Sequence, residues 1–505
     1  MDINDLYEQV INADVSGVAI VSPLQRAKQL SLKYANSIFM KREDIQSVFS
    51  FKCRGAYNKI RQLSNHDRSV GIIAASAGNH AQGVALSAYQ LNIDAIIVMP
   101  ETTPSIKVNA VKQHGANVIL FGDSYDDAYS HAISLSDKYG YTFIHPYDDC
   151  DVIAGQGTIG LEILNQLSEP IDYVFVAVGG GGLLAGVISV FKVLSPHTII
   201  VAVEPENSAC LAAAMKANSR VILDSVGIFA DGVAVKQIGD LTFRIIQPHL
   251  NDSIQVGIDD ICAAIKDIYD ETRCVVEPAG ALSLAGMKAY IKNRNITDKN
   301  IVTINCGANM NFDRLRHVAE RAEIGEKNEA LFAVEIPESP GSLKQFCSVI
   351  GKRTITEFNY RFQNDDRAII FLGVSIKCQD DSDALLKTMN RHDYRSSDLT
   401  DNELAKLHVR HMIGGIPHKS LTNERLFRVQ FPERPGALME FLNQLLNQWN
   451  ISLFHYRNHG AAYGRVLIGL EIPKSDNQKL DQMISKIGFK FIEETDNLAY
   501  QLMLK

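Results

Sequence analysis

The sequence lacks the patterns that mark disulfide-stapled proteins, zinc sites and nucleic-acid-binding proteins. Its eight cysteines lie far apart and no two form a Cys-x-x-Cys pair, so neither a disulfide framework nor a zinc site is predicted. It also lacks an excess of basic residues, because 50 Lys and Arg stand against 58 Asp and Glu, for a net charge of −8. We therefore expect no nucleic-acid partner and no metal.

The chain also has little that would direct it to a membrane. Residues 1–6 carry acids where a secretory signal would carry Lys or Arg, and no cleavable apolar region follows. The uncharged run 173–191 is long enough to cross a bilayer. Five glycines interrupt that run, and it divides into a buried strand, a glycine turn and a helix. A cytoplasmic protein with no membrane partner is expected.

The first three hundred residues alternate short apolar runs with helix-length segments, which is typical of βα units and a parallel sheet. We predict strands at 71–75, 95–99, 117–121, 141–144, 173–178, 198–203 and 300–305, and helices at 56–63, 155–167, 182–194, 258–272 and 279–293. This pattern predicts an α/β domain, 1–328, of two open parallel-sheet lobes, with the small lobe (about 55–148) inserted in the large one. The cleft between them would face the carboxyl ends of the strands.

A charged stretch, 311–329, predicts an exposed connecting helix, and an internal repeat follows it. Leu331–Leu343 recurs as Leu426–Leu438, and Phe358-Asn-Tyr-Arg matches Phe454-His-Tyr-Arg. Self-similarity of this kind indicates duplicated modules. Each copy has the pattern strand, Pro-Gly turn, helix, strand, which predicts two small α+β modules, 329–422 and 423–505, with antiparallel sheets.

One lysine lies in a short polar and aromatic stretch, Ser50-Phe51-Lys52-Cys53-Arg54-Gly55. A lysine amine reacts with carbonyls when desolvation or a neighbouring cation lowers its pKa. We expect Phe51 to supply apolar surroundings and Arg54 to supply positive charge. A solvated Lys/Arg pair is the better interpretation of this stretch alone, so the assignment depends on the motifs elsewhere.

A second motif, Ser76-Ala77-Gly78-Asn79-His80, follows a predicted strand and opens a helix. Ser76 is predicted to be the N-cap, and free amides at the helix start would bind a substrate carboxylate. Asn79 can donate to a ring hydroxyl, and Gly78 lets a flat ring approach the backbone. An ordinary capping turn is the alternative, and His80 is expected to be structural rather than a base.

A third motif, Gly179-Gly180-Gly181-Gly182-Leu183, lies between an apolar strand and a helix. Backbone amides and the helix dipole at such a junction bind phosphate. The motif has neither the lysine of a nucleoside-triphosphate loop nor the GxGxxG spacing of a dinucleotide site. It therefore favours a monophosphate.

Two further residues each allow two interpretations. Cys306 ends the last strand of the large lobe, where its thiol could contact a ring nitrogen or simply belong to the core. Glu277 precedes Pro278 at a predicted helix start, where its carboxylate could cap the helix or line the site.

A lysine for a Schiff base, an asparagine for a ring oxygen, a glycine loop for one phosphate and a small polar group for a ring nitrogen are together the needs of pyridoxal phosphate. With these motifs, the sequence closely resembles the biosynthetic threonine deaminase family, of the tryptophan-synthase-β type of fold, over nearly the whole chain. The resemblance implies that Lys52, in the Phe51-Lys52 pair, bonds to the cofactor and Asn79 contacts its ring hydroxyl. It also implies that 179–183 hold the phosphate and 76–80 receive the substrate carboxylate.

The resemblance extends to the repeats, which match the tandem ACT-like regulatory modules of the family. It implies a homotetramer inhibited by isoleucine, with valine opposing, and it separates the chain from the short catabolic form and from serine racemase. The aromatic and arginine pairs in the repeats are the predicted effector residues, namely Tyr360, Arg361, Tyr456 and Arg457. The alternative is that the modules only mediate assembly of the oligomer.

The sequence departs from the family pattern at two positions. The family usually has serine where Cys306 stands, and a thiol is the weaker hydrogen-bonding group. Metal-binding serine racemases have a second acid where Cys210 follows Glu204, so a cation site is doubtful here.

The implied reaction is β-elimination of L-threonine to 2-oxobutanoate and ammonia, the first step of isoleucine biosynthesis, with Lys52 as the α-proton base. A serine- or cysteine-directed lyase of the same fold is one alternative. Another is an amino-acid-sensing regulatory protein with an inactive catalytic half. The intact Lys52 argues against this alternative.

Overall fold

The computed structural model describes residues 2–312, 314–361, 367–407, 409–411, 423–432, 437–444, 449–457, 463–487, 490–497 and 500. The chain divides into two compact units, Met1–Ala322 and Glu323–Lys505. The division lies within a helix, Arg314–Gly325, and the first strand of the second unit begins at Glu329.

The first unit is built of alternating strands and helices. Its strands are β1 Leu24–Arg26, β2 Ser37–Arg42, β3 Ile72–Ala75, β4 Ala95–Met99, β5 Asn117–Leu120, β6 Thr142–Phe143, β7 Tyr173–Ala177, β8 Ile199–Pro205, β9 Asp252–Val256 and β10 Asn300–Asn305. Its helices are α1 Ile3–Ile11, α2 Lys28–Lys33, α3 Lys52–Arg61, α4 Asn65–Val70, α5 Asn79–Leu91, α6 Ser105–Gln113, α7 Tyr125–Tyr139, α8 Cys150–Gln166, α9 Gly182–Leu194, α10 Cys210–Ala217, α11 Asp240–Ile246, α12 Ile258–Thr272, α13 Pro278–Arg294 and α14 Arg314–Gly325.

Two sheets form the two lobes, which confirms the predicted fold class. The large-lobe sheet has the order β1-β2-β10-β7-β8-β9 and is parallel except for β1, which pairs antiparallel with β2. The small-lobe sheet has the order β5-β4-β3-β6 and is parallel throughout. Strand β7 lies at the centre of the large lobe, and its residues Val174–Val176 are completely buried, as expected of a parallel strand covered on both faces.

The structure corrects several sequence-based boundaries in the first unit. Helix α8 begins at Cys150 rather than 155, because the Asp149 carboxylate caps it by accepting from the backbone N–H groups of Asp151 and Val152. Strand β9 and helices α10 and α11 lie in a stretch for which no element was predicted. Helix α14 was predicted to be exposed, but Val318 and Ala322 are buried in the large-lobe core. One of its charges, Arg321, is also buried and forms an ion pair with Asp259.

The described residues of the second unit form an antiparallel sheet of eight strands. Its strands are β11 Glu329–Pro337, β12 Ile355–Arg361, β13 Arg367–Ser375, β14 Ser396–Asp398, β15 Glu424–Pro432, β16 Asn450–Arg457, β17 Tyr463–Glu471 and β18 Lys490–Glu493, and its helices are α15 Ser342–Ile350, α16 Gln379–Arg391, α17 Glu403–Leu407, α18 Ala437–Gln444 and α19 Asn477–Ile487. The order is β14-β11-β13-β12-β16-β17-β15-β18. The Pro435-Gly436 turn predicted for the second repeat lies outside the described residues.

The two repeats meet through the segments that the sequence matched. Strand β12 of the first repeat pairs antiparallel with β16 of the second, with Phe358 opposite Tyr456 and Tyr360 opposite Phe454. The matched segments therefore pair with each other, and one continuous sheet joins the repeats.

Two expectations about the whole chain can be compared with the structure. All eight cysteines are free thiols, and five of them are buried. No helix in the described part of the chain combines the length and the apolarity needed to span a membrane. The run 173–191 instead forms β7, a glycine turn and most of α9.

Candidate active site

Lys52 is the first residue of α3 and lies between the two lobes. Its Nζ donates to the backbone carbonyl of Pro146, 3.0 Å away, and lies 5.4 Å from the centre of the Phe51 ring. Burial lowers the pKa of Lys52 to about 8, although the nearby Cys306 and Glu277 oppose that change. The structure thus supplies the desolvated amine that carbonyl chemistry requires.

Arg54 does not provide the positive charge that was expected beside Lys52. Its guanidinium is completely buried and forms ion pairs with Glu43 at 2.8 Å and Glu162 at 2.6 Å. Residues two positions apart lie on different sides of a helix, so Arg54 points into the large lobe. The expectation was wrong, because the pKa of Lys52 is lowered by desolvation and not by this cation.

The turn Ser76–His80 joins β3 to α5 with an open backbone. The N-cap of α5 is Gly78, not Ser76, and no described side chain caps this helix. Ser76 instead accepts a hydrogen bond from the Gly78 N–H at 3.2 Å. A Cβ at Gly78 would meet nothing within 4 Å among the described residues, so a ligand has room to approach the amides at the start of α5.

His80 has a structural role. Its ring is buried, and Nε2 donates to the carbonyl of Ile144 at 2.8 Å. Burial, together with the nearby Lys52, lowers the pKa of His80 to about 3. The ring is therefore neutral near pH 7 and only weakly basic, as expected of a structural histidine.

Asn79 is held in place by a partly buried network. Its amide Nδ2 donates to Glu277 Oε1, and its Oδ1 accepts from Asn309 Nδ2 at 2.7 Å. Burial raises the pKa of Glu277 to about 7. Of the two interpretations of Glu277, the structure supports lining the site, because its side chain makes no cap hydrogen bond within the described helix α13.

Asn309 was not predicted, although it lies only three residues after Cys306 in the sequence. Backbone hydrogen bonds bring these segments together: Phe51 N–H donates to the Cys306 carbonyl at 3.2 Å, and Glu277 N–H donates to the Gly307 carbonyl at 3.1 Å. The start of α3, the end of β10 and the start of α13 therefore meet at one place.

Cys306 lies at this meeting point as a neutral thiol. It is 4% exposed, and its Sγ donates to the carbonyl of Ile304 at 3.4 Å. Burial raises the pKa of Cys306 well above its ordinary value. An uncharged group of this kind can accept or donate a weak hydrogen bond at a ring nitrogen but cannot neutralise a protonated one.

The glycine loop connects β7 to α9 and leaves the first turn of that helix open. Gly181, with φ of 94°, is the N-cap, and no described side chain bonds there. Thr242 Oγ1 donates to the Gly180 carbonyl at 2.7 Å, which fixes the loop from one side. Leu183 is buried in the first turn of α9. The arrangement is that of a helix N-terminus able to bind an anion.

Glu204 is fully engaged within the protein. Its carboxylate oxygens accept from the N–H groups of Leu211 at 2.7 Å and Ala212 at 2.8 Å, so it caps α10. Burial raises the pKa of Glu204 to about 7. No cluster of three or more His, Cys, Asp or Glu residues suited to a metal occurs in the described part of the chain.

Comparison with known proteins identifies the family. Residues 15–307 match the model of the pyridoxal-phosphate-dependent enzymes, and residues 320–409 and 418–504 match the C-terminal regulatory domain of threonine dehydratase. The chain is 48% identical over 507 residues to the L-threonine dehydratase biosynthetic IlvA of Burkholderia multivorans, covering 100% of both. The chain belongs to the biosynthetic threonine dehydratases.

Other members and solved structures agree with this. The biosynthetic threonine dehydratase of Escherichia coli is 49% identical over 496 residues, covering 98% of this chain and 96% of that one. The processed form of threonine deaminase isoform 2 from Solanum lycopersicum superposes with a TM-score of 0.63 at 47% identity, covering 64% of this chain and 88% of that one. Maize serine racemase superposes with a TM-score of 0.58 at 31% identity, covering 63% of this chain and 96% of that one.

The residues of this chain fit a pyridoxal phosphate group. Lys52 offers a desolvated amine, and the start of α9 offers an open helix N-terminus for a phosphate. Between them, Asn79, Glu277 and Cys306 supply polar groups at the meeting point of the segments.

The predicted effector residues lie at the junction of the two repeats. Tyr360 is 2% exposed, and its Oη donates to the Glu338 carboxylate at 2.7 and 2.6 Å. Tyr456 is equally buried. The side chains of Arg361 and Arg457 lie outside the described residues, so their roles stay predictions.

A pocket opens beside Tyr360 between the repeats. Glu338 also accepts from Asn450 Nδ2 of the second repeat at 2.9 Å. Apolar side chains from both repeats complete the lining, among them Ile336, Leu442, Trp449 and Leu470. The pocket has a cavity volume of about 30 Å³, so its lining side chains would have to move apart to admit an amino acid.

Proposed function

We propose that the chain converts L-threonine to 2-oxobutanoate and ammonia by β-elimination, as the first step of isoleucine biosynthesis. The observation that carries the proposal is the desolvated amine of Lys52, whose pKa of about 8 lies far below that of an ordinary lysine. Bound pyridoxal phosphate would supply the electron sink for the reaction and an acidic phosphate near the substrate hydroxyl.

Lys52 serves two purposes in this proposal. Its amine would hold the cofactor through a covalent bond, and in its free-base form the amine would accept the α-proton of threonine. The Pro146 carbonyl, 3.0 Å from Nζ, orients the amine through a hydrogen bond. A pKa of about 8 leaves an appreciable fraction of the amine in the free-base form near neutral pH.

The other predicted residues hold the reactants in this scheme. The open turn at Gly78 receives the substrate carboxylate on the amides that begin α5. Asn79 would donate to the ring hydroxyl, and its orientation is maintained by Glu277 and Asn309. The neutral Cys306 leaves the ring nitrogen without a carboxylate partner, which favours elimination over transamination.

Substitution of Lys52 tests this proposal. Lys52→Ala is expected to abolish steady turnover while the protein stays folded, because the anchor and the base are lost together. Lys59→Ala is the matched control, since Lys59 belongs to the same helix but pairs with Asp149 and Asp151 on its outer side. Borohydride reduction followed by peptide mapping should place the pyridoxyl label on Lys52, and a label on another lysine would contradict the assignment.

We further propose that the second unit binds isoleucine, which lowers catalysis, and that valine opposes it. The supporting observation is the pocket between the repeats, where an amino acid that moved the lining side chains apart could place its ammonium group near Glu338. The branched side chain would then contact Leu442, Trp449 and Leu470. Coupling between sites is typically about 1–3 kcal/mol, so isoleucine should weaken apparent threonine affinity by about 5–150-fold.

Calorimetric titration of isoleucine tests the pocket directly. Glu338→Gln is expected to weaken isoleucine binding and to leave turnover without isoleucine unchanged, because the substitution removes the partner of the ammonium group. Tyr394→Phe is the control, since Tyr394 is a buried tyrosine of the same unit that packs on Phe346. If a chain ending near Ala322 stays as sensitive to isoleucine as the full chain, the effector site does not lie in the repeats.

A further inference from the structure

Four consecutive residues, His145–Asp148, contact both ends of the candidate active site, although the sequence did not single them out. They form the return from the small lobe to the large lobe, between β6 and α8. His145 Nδ1 accepts from the N–H groups of Tyr147 at 3.3 Å and Asp148 at 2.8 Å, which fixes the turn. The Pro146 carbonyl accepts a hydrogen bond from the Lys52 amine.

Tyr147 packs directly on the glycine loop. A Cβ built on Gly180 would lie 2.2 Å from Cγ of the Tyr147 ring, and one on Gly182 would lie 3.0 Å from Tyr147 Cα. The ring therefore lies against the backbone of Gly180, closer than any side chain on that residue would permit. Burial raises the pKa of Tyr147 to about 12, so the phenol stays uncharged beside the loop.

Asp148 and Thr242 hold the loop from another direction. The Asp148 carboxylate accepts from the N–H groups of Asp240 and Leu241, both at 2.9 Å, and of Thr242 at 3.1 Å. This caps α11, and Thr242 in turn donates to the Gly180 carbonyl. Gly180 is thus held on one side by the Tyr147 ring and on the other by the hydrogen bond from Thr242. Asp148, the neighbour of Tyr147, holds Thr242 in turn.

We propose that Tyr147 is a positioning residue for the cofactor phosphate, acting through van der Waals contact of its ring with Gly180. The contact keeps the loop in the conformation that aims the amides at the start of α9 toward one phosphate group. The hydroxyl group is not needed for this role, because the contact is made by ring carbons. The inference rests on the proposed function of 179–183 as the phosphate site.

Cofactor affinity, measured separately from turnover, tests the inference. Cofactor-free protein is titrated with pyridoxal phosphate and followed by absorbance, and circular dichroism checks the fold of each variant. Tyr147→Phe is expected to bind within about threefold of the parent, and Tyr147→Ala at least about tenfold more weakly, a difference of about 1.4 kcal/mol. Equal binding by Tyr147→Ala and the parent overturns the proposal, and equal weakening in Tyr147→Phe overturns the assignment to the ring.

Pyridoxal without its phosphate separates positioning of the loop from general damage to the site. If Tyr147 acts through the phosphate cradle, Tyr147→Ala should weaken binding of pyridoxal phosphate much more than binding of pyridoxal. Equal loss with both probes would overturn the proposal. Borohydride labelling of the parent at Lys52 is scored independently, so failure of the proposed function is distinguished from failure of this inference.

A double-mutant cycle with Gly180 gives a second measurement, because it compares the cost of one substitution in two backgrounds. Gly180→Ala in the parent should weaken phosphate-dependent binding, because the new methyl meets the Tyr147 ring. In the Tyr147→Ala background the ring atoms that this methyl would meet are gone, so the same substitution should cost several-fold less. Additive losses would show that the two residues act independently and would overturn the inference.

Discussion

Replacing Lys52 by methionine should make the cofactor-free protein more stable near neutral pH. Below pH 8 the protein must keep a charged ammonium group in a desolvated site. The fall in pKa from 10.5 to about 8 corresponds to a penalty of about 3 kcal/mol, at about 1.36 kcal/mol for each pH unit. Methionine loses the hydrogen bond to Pro146, worth about 1 kcal/mol. A net gain of about 2 kcal/mol in the free energy of unfolding is therefore expected at pH 7.

The gain should depend on pH with a definite sign. The folded-state pKa of Lys52 lies below the unfolded-state value, so between them the unfolded chain binds more protons and stability rises with pH. The penalty is fully present below about pH 8 and disappears as the pH approaches the unfolded pKa of about 10.4. The advantage of the methionine variant should shrink over that window and then reverse, because only the lost hydrogen bond remains.

Urea unfolding of cofactor-free parent and variant at several pH values between 7 and 10 measures this difference. Lys59→Met is the control with the opposite sign. Although burial acts to lower the pKa of Lys59, the carboxylates of Asp149 and Asp151 outweigh it and raise that pKa, so Lys59→Met should be the less stable protein at pH 7. A stability difference between Lys52→Met and the parent that stays constant with pH would refute the desolvation argument.

Two further substitutions probe the surroundings of Lys52. Cys306→Ser should keep the elimination rate within a modest factor of the parent rate, since both side chains offer a small neutral group to the ring nitrogen. Cys306→Asp should be slower and form more side product. An aspartate variant that matched the parent in rate and products would exclude Cys306 as the ring-nitrogen partner. Glu43→Gln should lower the free energy of unfolding by about 3 kcal/mol, because it leaves the fully buried Arg54 guanidinium with one carboxylate fewer. Thermal unfolding of the holoenzyme measures this loss, and an unchanged midpoint would show that Glu162 alone compensates Arg54.

Much of the architecture follows from patterns that are local in the sequence. Short apolar runs followed by helix-length segments predict parallel strands wherever the strands are covered on both faces, and β7 and β8 are strands of that kind. The duplicated motif around Tyr360 and Tyr456 likewise predicts two similar modules. The glycine loop is predicted as a phosphate site from residue type and from its position between a strand and a helix, whereas Lys52 could be singled out only together with the other motifs.

Other features depend on residues far apart in the chain, and only the tertiary structure decided them. Arg54 looked like an activating cation, but its charge is taken by Glu162, which is distant in sequence and adjacent in space. The network of Asn79, Glu277 and Asn309 joins three segments in the same way.

The packing of Tyr147 on Gly180 cannot be predicted from the local sequence, because the residues beside a tyrosine do not indicate which glycine it will contact. Periodicity reports which face of an element is buried, but it does not report what that face will contact. That contact is set when the two lobes close around a shared site, and the pKa of Lys52 is set with it, because desolvation exists only once the surrounding segments have come together.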